Sequence, residues 1–260
     1  MAESAIERAW NASRAECRTA LIPYLTAGFP TVVDSRAMLE ASAEWSDIIE
    51  VGVPFSDPLA DGPTIQASTF RALENGMTLP RTLELVADAA VQRPVVLFSY
   101  LNPILQYGAE RLVRDAASIG VRGILLTDLP VGGDAALEES LGGGPLNLIR
   151  LVAPTTTGER LQRSVDGARG FIYLVARLGV TGASNAVDAG LEASIARVRA
   201  ATPLPIAVGF GISNPEQAAS VARHADGVVV GSALVDILGR EGVAASARFL
   251  AGLRAALGPT

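Results

Sequence analysis

Eight short apolar segments, each four to seven residues long, recur along the chain, and most of them are apolar at every position. Segments of this length without polar alternation are typical of strands that are buried on both faces, as in a parallel sheet. Helical patterns separate them, and this alternation predicts an α/β architecture. The predicted strands are 20–25, 48–53, 95–99, 123–127, 146–152, 171–175, 206–209 and 227–230.

Eight strand and helix units in 260 residues fit a single (β/α)8 TIM barrel of the α/β class, to which we add an extra N-terminal helix. No shift in composition marks a boundary, so we expect one catalytic domain over residues 1–260. A doubly wound open sheet is the alternative. However, residues 25–30, which follow the first strand, lack the G-x-G-x-x-G pattern that binds dinucleotides in such sheets.

Composition argues against several classes of protein. A net charge of −6 argues against a sequence-independent nucleic-acid binder. No apolar run is long enough to cross a bilayer, and residues 1–18 lack the apolar stretch of a secretory signal, so we expect a cytoplasmic protein. With one cysteine, Cys17, and one histidine, His224, we expect no metal site, and we interpret His224 as a helix-end residue.

All 21 basic residues are arginine, so the chain has no lysine. An aldolase that forms a Schiff base needs a lysine amine, and so does an enzyme that binds pyridoxal covalently. Both classes are therefore excluded for this chain. Any carbon–carbon cleavage has to use acids, bases or a metal.

The segment from Asp47 to Gln66 concentrates the candidate catalytic groups. Glu50 lies in the second predicted strand, and Asp57 and Asp61 lie in the proline-rich loop after it, a position suited to proton transfer in a barrel. Apolar neighbours should raise the pKa of Glu50 toward neutrality, whereas pairing with an arginine would make it a structural acid. Asp61 precedes Gly-Pro, a sequence that also forms plain turns, so Asp61 could have a catalytic or only a structural role. Asp57 could equally serve only to hold the loop in place by hydrogen bonds.

Glycine-rich turns follow the last three strands, at 179–184, 209–213 and 231–233. Glycine lets backbone N–H groups approach a phosphate, and a helix that begins near Ser232 would add its positive end. Barrels often bind phosphate with the loops after strands seven and eight, so we predict a phosphate site here; the alternative is that these glycines only form tight turns. Three tyrosines lie at or near the ends of predicted strands: Tyr24, Tyr100 and Tyr173. Their rings would either line a pocket for a flat ligand or belong to the core.

Several motifs together resemble the tryptophan synthase α subunit family, and they run through most of the chain. The longest is the segment from Glu50 to Gln66, which is far more specific than a lone glycine-rich loop. The others, in chain order, are LIPYLTAG at 21–28, YLNP at 100–103, TDLP at 127–130, APTTT at 153–157, GVTG at 179–182, GFGIS at 209–213 and GSA at 231–233.

The resemblance implies cleavage of indole-3-glycerol phosphate to indole and glyceraldehyde 3-phosphate. It implies that Glu50 is the principal acid–base residue, that Asp61 interacts with the indole nitrogen and that Tyr173 lies beside the substrate. Asp57 and Thr181 are implied to act in loop closure and partner signalling. The substrate-binding residues that it implies are Tyr100, Thr181, Gly182, Phe210, Gly211, Gly231 and Ser232, of which the glycines and Ser232 hold the phosphate.

The resemblance also implies a partner, a β subunit that carries pyridoxal phosphate and receives indole through a tunnel in an α2β2 assembly, with no cofactor on this chain. The chain departs from the family at 131–134, where many members carry adjacent acids, and at 176–177, where a serine is common. Two other functions stay open: a stand-alone lyase of the same fold, and a non-catalytic phosphate-binding barrel that regulates another subunit.

Overall fold

The computed structural model of the protein describes residues 3–175, 184–209 and 211–258, with side chains in the second range described from Gly190 onward. Eight parallel strands close into a barrel in which each strand pairs with the next along the chain and the last pairs with the first. The strands are β1 (Ala20–Thr26), β2 (Ile49–Gly52), β3 (Val95–Ser99), β4 (Val121–Leu126), β5 (Asn147–Val152), β6 (Ile172–Val175), β7 (Ile206–Gly209) and β8 (Gly227–Val230).

Helices cover the outside of the barrel, and within the described ranges none of them is both long and apolar enough to span a membrane. The helices are α1 (Ala5–Ala15), α2 (Val32–Trp45), α3 (Pro63–Glu74), α4 (Leu79–Ala89), α5 (Leu101–Tyr107), α6 (Ala109–Ser118), α7 (Ala135–Gly142), α8 (Gly158–Val165), α9 (Ser184–Ala201), α10 (Pro215–Ala222), α11 (Ser232–Glu241) and α12 (Val243–Ala256).

Alternation along each strand divides the apolar core into two parts. Ile49 and Val51 belong to the large cluster between the strands and the helices, whereas Ile48 belongs to the cluster that fills the barrel. Because neighbouring side chains on a strand point to opposite faces, Glu50 and Gly52 share the inward face with Ile48. The alternation therefore directs the Glu50 carboxyl into the barrel.

The helix α1 closes the amino-terminal end of the barrel. Its residues Ile6 and Trp10 are fully buried in the interior cluster, and the Trp10 ring meets Phe171 edge to face with centroids 5.6 Å apart. The Ser4 side chain caps the helix by accepting from the backbone N–H of Glu7. With this end filled by side chains, the carboxyl ends of the strands form the open mouth.

The predicted barrel and its N-terminal helix are confirmed, and all eight predicted strands are present with ends that shift by at most two residues. The sequence did not predict α5, because Pro103 normally interrupts a helix. Here Pro103 lies in the first turn, where its missing N–H costs nothing. The sequence pattern after the fourth strand predicts a helix from Gly132, but α7 begins only at Ala135, because the Asp134 side chain caps that point.

Candidate active site

Glu50 is completely buried on the inner face of β2, and neither of its carboxyl oxygens has a hydrogen-bond partner among the described residues. Its apolar surroundings favour the neutral acid over the carboxylate, and burial raises the pKa of Glu50 from 4.5 to about 8. The sequence expectation of an apolar environment with a raised pKa is thus met. A buried carboxyl without a partner is costly for stability, and such groups cluster at functional sites.

Asp61 is the second acid of the mouth, at the end of the loop between β2 and α3. Burial raises its pKa from 3.8 to about 6, and a hydrogen bond from Tyr100 opposes this rise. At neutral pH Glu50 therefore holds its proton while most Asp61 side chains are ionised. Two acids whose environments separate their pKa values in this way are suited to different roles in one reaction.

Tyr100 connects the β2–α3 loop to the end of β3. Its hydroxyl donates to Asp61 Oδ2 at 3.1 Å and accepts from the backbone N–H of Ala60 at 2.9 Å. From α3, the Gln66 side chain donates to the carbonyl oxygens of Pro58 and Asp61, at 3.2 and 3.0 Å. These bonds hold the Asp61 carboxylate in a fixed place above the strand ends.

Tyr100→Phe should move the ionisation of Asp61 upward, because it removes the hydrogen bond that favours the carboxylate. We expect the acidic limb of the kcat/KM profile for substrate cleavage to move by about one pH unit to higher pH. The matched control is Tyr107→Phe, which removes a tyrosine hydroxyl that donates to Asp115 at 2.7 Å, far from this loop in the sequence. An acidic limb at the same pH in all three proteins would show that Tyr100 does not tune Asp61.

A cavity of about 60 Å³ lies at the mouth, well below the several hundred Å³ that is usual for ligand sites. Side chains around it must therefore move apart to admit a substrate. Neither Glu50 nor Tyr100 lines this cavity itself, but Glu50 is near enough to Tyr24 and Tyr173 to raise the pKa of both phenols in addition to their burial. The lining residues are Tyr24, Asp61, Gly62, Ile65, Phe98, Tyr173, Gly211, Val229, Gly231 and Ser232.

Another part of this cavity offers backbone donors to an anion. Gly231 and Ser232 line it where α11 begins, and none of the described side chains caps that end of the helix. The first N–H groups of a helix lack internal acceptors and carry its positive dipole end. Gly211 lines the same cavity with a φ of +90°, a backbone conformation that favours glycine. The predicted helix start near Ser232 is confirmed.

Two glycines at strand ends make room for tyrosines from the neighbouring strands. A Cβ atom on Gly52 would overlap the hydroxyl of Tyr24, and one on Gly209 would overlap the hydroxyl of Tyr173. Sequence reasoning assigned Gly209 to a phosphate-binding turn and missed Gly52. Glycine at the end of an otherwise β-branched strand is the signal that indicates such a close approach.

Three of the predicted site residues, Thr181, Gly182 and Phe210, lie outside the described residues. Asp57 is exposed in the β2–α3 loop and accepts from the Ser56 hydroxyl at 2.5 Å, so it takes no part in the buried network. Among the side chains that the structure describes, no group of three or more His, Cys, Asp or Glu residues could hold a metal ion. The larger cavity of about 720 Å³, between β4, β5 and α8, contains neither Glu50 nor Asp61.

Comparison with known proteins gives a consistent result for both the sequence and the fold. The family profile described as tryptophan synthase alpha chain matches residues 10–252. A tryptophan synthase alpha chain from Rhizorhabdus wittichii is 46% identical over 255 residues, which cover 94% of this chain and 93% of that protein. A relative of the same name from Geobacter sulfurreducens is 46% identical over 252 residues, or 93% and 94% of the two chains.

Solved structures agree over almost the whole length. A Mycobacterium tuberculosis tryptophan synthase structure superposes with a TM-score of 0.90 and 38% identity, covering 99% of each chain. The tryptophan synthase subunit alpha of Legionella pneumophila gives a TM-score of 0.89 and 32% identity, covering 98% of this chain and 99% of the other.

Proposed function

Since this chain belongs to the tryptophan synthase alpha chain family, we propose that Glu50 and Asp61 carry the cleavage of its substrate, indole-3-glycerol phosphate, in one catalytic domain. The enzyme is a carbon–carbon lyase that releases indole and glyceraldehyde 3-phosphate. The observation that carries the assignment of roles is the pair of acids in one mouth with pKa values of about 8 and about 6.

Glu50 moves both protons of the cleavage. The neutral acid donates its proton to C3 of the indole ring, which turns that carbon into a leaving group. As the bond from C3 to the glycerol chain breaks, the Glu50 carboxylate accepts the proton of the adjacent glycerol hydroxyl, and that carbon becomes the aldehyde. Glu50 returns to its protonated state, so a single residue serves as acid and then as base.

Asp61 stabilises the positive charge that develops on the ring nitrogen when C3 is protonated. This requires the ionised form, which predominates above its pKa of about 6. The Tyr100 hydroxyl holds the carboxylate in position through its 3.1 Å bond. A fixed charge aimed at developing positive charge, away from bulk water, is an effective form of transition-state stabilisation.

The substrate phosphate binds at the start of α11. The backbone N–H groups after Gly231, the hydroxyl of Ser232 and the turn at Gly211 supply donors in the same cavity that Asp61 lines. Tyr173 and Phe98 line this cavity as well, where their rings contact the flat indole. The bound substrate therefore reaches from the phosphate donors at the start of α11 to the Asp61 carboxylate.

The direct test is incubation of the purified chain with indole-3-glycerol phosphate, with and without a tryptophan synthase β subunit, while indole release is followed. We expect indole in both cases and a higher rate with the β subunit. Asp61→Asn should lower the rate by about 10²-fold, since the neutral amide cannot balance the ring charge. Substrate binding without any indole release would instead support a regulatory barrel, and an equal rate with and without the β subunit would support a stand-alone lyase.

The partner in this proposal is the β subunit, which carries pyridoxal phosphate, since a chain without lysine cannot hold it as a Schiff base. Large apolar side chains are exposed on three consecutive segments at the mouth: Leu59 after β2, Leu105 on α5 and Val131 after β4, with 90%, 54% and 36% of their surfaces accessible. Apolar side chains exposed on one rim indicate a protein interface. We therefore place the β subunit on this side, next to the exit for indole.

Leu105→Asp is expected to weaken β-subunit binding by about tenfold or more, because it places a charge in an apolar contact. Indole release by the isolated chain should stay the same, since α5 contributes Leu105 to the surface and not to the cavity. Phe70→Asp is the matched control, with 47% of the side chain exposed in the later half of α3. Calorimetric titration of the β subunit into each variant measures the difference, and equal losses for both would argue against this interface.

A further inference from the structure

We propose that the amino-terminal end of the barrel carries a second binding site, for a small polyanion with two or more linked phosphoryl groups. The site is a cavity of about 490 Å³, a volume that suits a small-molecule ligand. Three arginines line it: Arg8 of α1, Arg93 just before β3 and Arg122 of β4. Because Arg93 and Arg122 stand at the starts of their strands, the cavity lies at the opposite end of the barrel from Glu50 and Asp61.

The cavity has a positive charge that the described chain does not neutralise. None of its lining residues is acidic, although the whole chain has a net charge of −6. The acid that Arg93 affects through space is Glu16, whose carboxylate is already bonded to Arg18.

The three guanidinium groups do have a structural role, but this role leaves most of their donors unused. Arg122, for example, binds the carbonyl oxygen of Ala117 at the C-terminal end of α6, where a cation is favourable. Within the part of the chain that the structure describes, one nitrogen of each arginine is occupied, whereas a guanidinium has five N–H donors. The acceptors are backbone oxygens of Glu3 for Arg8 (2.6 Å), Ala43 for Arg93 (3.0 Å), and Ala117 and Val121 for Arg122 (2.7 and 2.8 Å).

Guanidinium geometry selects the ligand chemistry. The planar fork of N–H donors matches two oxygens of a phosphoryl group, and arginine is the preferred residue for such contacts. Three forks from three different elements surround one cavity, so several phosphoryl groups in one molecule match them better than a single anion. Inorganic triphosphate is the simplest probe of this class.

A groove between α2 and α4 provides the comparison. It also contains two arginines, Arg36 and Arg81, and the Arg81 guanidinium likewise binds backbone oxygens, those of Asn75 and Gly76. In this groove, however, acids balance the charge. Glu40, which accepts from Arg36 at 2.9 Å, lines it together with Glu84 and Asp88.

The experiment is calorimetric titration of triphosphate into the full-length protein at low salt. We expect one triphosphate per chain, with an affinity that falls as salt is raised. Arg93→Gln and Arg122→Gln should each weaken binding by about tenfold, since each removes a charged hydrogen-bonding partner. Arg122→Lys, which keeps the charge, should lose less affinity for triphosphate than Arg122→Gln. Arg81→Gln should bind triphosphate as tightly as the wild type does. Indole release should be unchanged in all of these variants.

Hydrogen exchange with triphosphate present gives an independent readout, with protection expected at α1 and at the starts of β3 and β4. Arg8→Gln, which alters an exposed side chain, replaces either of the other variants if that variant does not fold. Three results would overturn the proposal: no binding up to millimolar triphosphate, equal binding by wild type and the arginine variants, or competition between triphosphate and indole-3-glycerol phosphate. The last would place the anion at the mouth.

Discussion

Glu50→Gln is expected to lower the rate of indole release by about 10²- to 10⁴-fold, the contribution typical of a general acid–base group. Glutamine has nearly the same shape but cannot exchange a proton with the substrate. In the described structure the Glu50 carboxyl has no hydrogen-bond partner, so the substitution breaks no existing bond. A lower rate in a single-turnover assay, with substrate affinity measured alongside, would therefore report the lost proton transfer.

The matched control is Glu138→Gln, which also neutralises a largely buried acid. Glu138 forms an ion pair with the buried Arg150, and it accepts from the Gly132 N–H at 2.7 Å. Its loss leaves a buried cation without a partner, which costs about 3–5 kcal/mol of stability, but neither Glu138 nor Arg150 lines the cavity that Asp61 lines. We expect a lower melting temperature with cleavage retained. Cleavage by Glu50→Gln within tenfold of the wild-type rate would contradict the assigned role.

The barrel and the position of Glu50 follow from local sequence pattern. Short segments that are apolar throughout have few alternatives to a strand buried on both faces. Once Ile48 and Glu50 share one face of β2 and Ile49 faces the helices, the carboxyl must enter the barrel. Its burial and the direction of its pKa change are consequences of strand geometry, which is why the sequence could predict them.

Contacts between distant segments could not be predicted in this way. The bond from Tyr100 to Asp61 joins residues 39 apart in the sequence, and the fit of Tyr24 over Gly52 depends on the register of β1 against β2. Tyr100 looked like a pocket wall because it follows a strand, yet its hydroxyl holds the β2–α3 loop. Such contacts depend on where the barrel brings strand ends together, which a single sequence does not encode locally.

Replacing Glu50 should also change how stability depends on pH. In the unfolded chain Glu50 has its ordinary pKa of 4.5, and burial raises that pKa to about 8 in the folded protein. Between these values the folded state keeps a proton that the unfolded state has lost. The free energy of unfolding therefore falls as pH rises through this window, by up to about 1.4 kcal/mol per pH unit. Below pH 4.5 the burial of this group costs nothing through ionisation.

Glu50→Gln removes this slope, since glutamine does not titrate. We expect the variant and the wild type to differ least near pH 4.5, and the advantage of the variant to increase steadily toward pH 8, in urea unfolding at a series of pH values. The pKa of Asp61 is also raised in the folded protein, from 3.8 to about 6, so Asp61 changes stability with pH in the same direction. Because both proteins retain Asp61, its contribution cancels when their free energies of unfolding are subtracted. Parallel stability curves would mean that Glu50 has its ordinary pKa in the folded protein, and a group with that pKa could not donate a proton to indole at neutral pH.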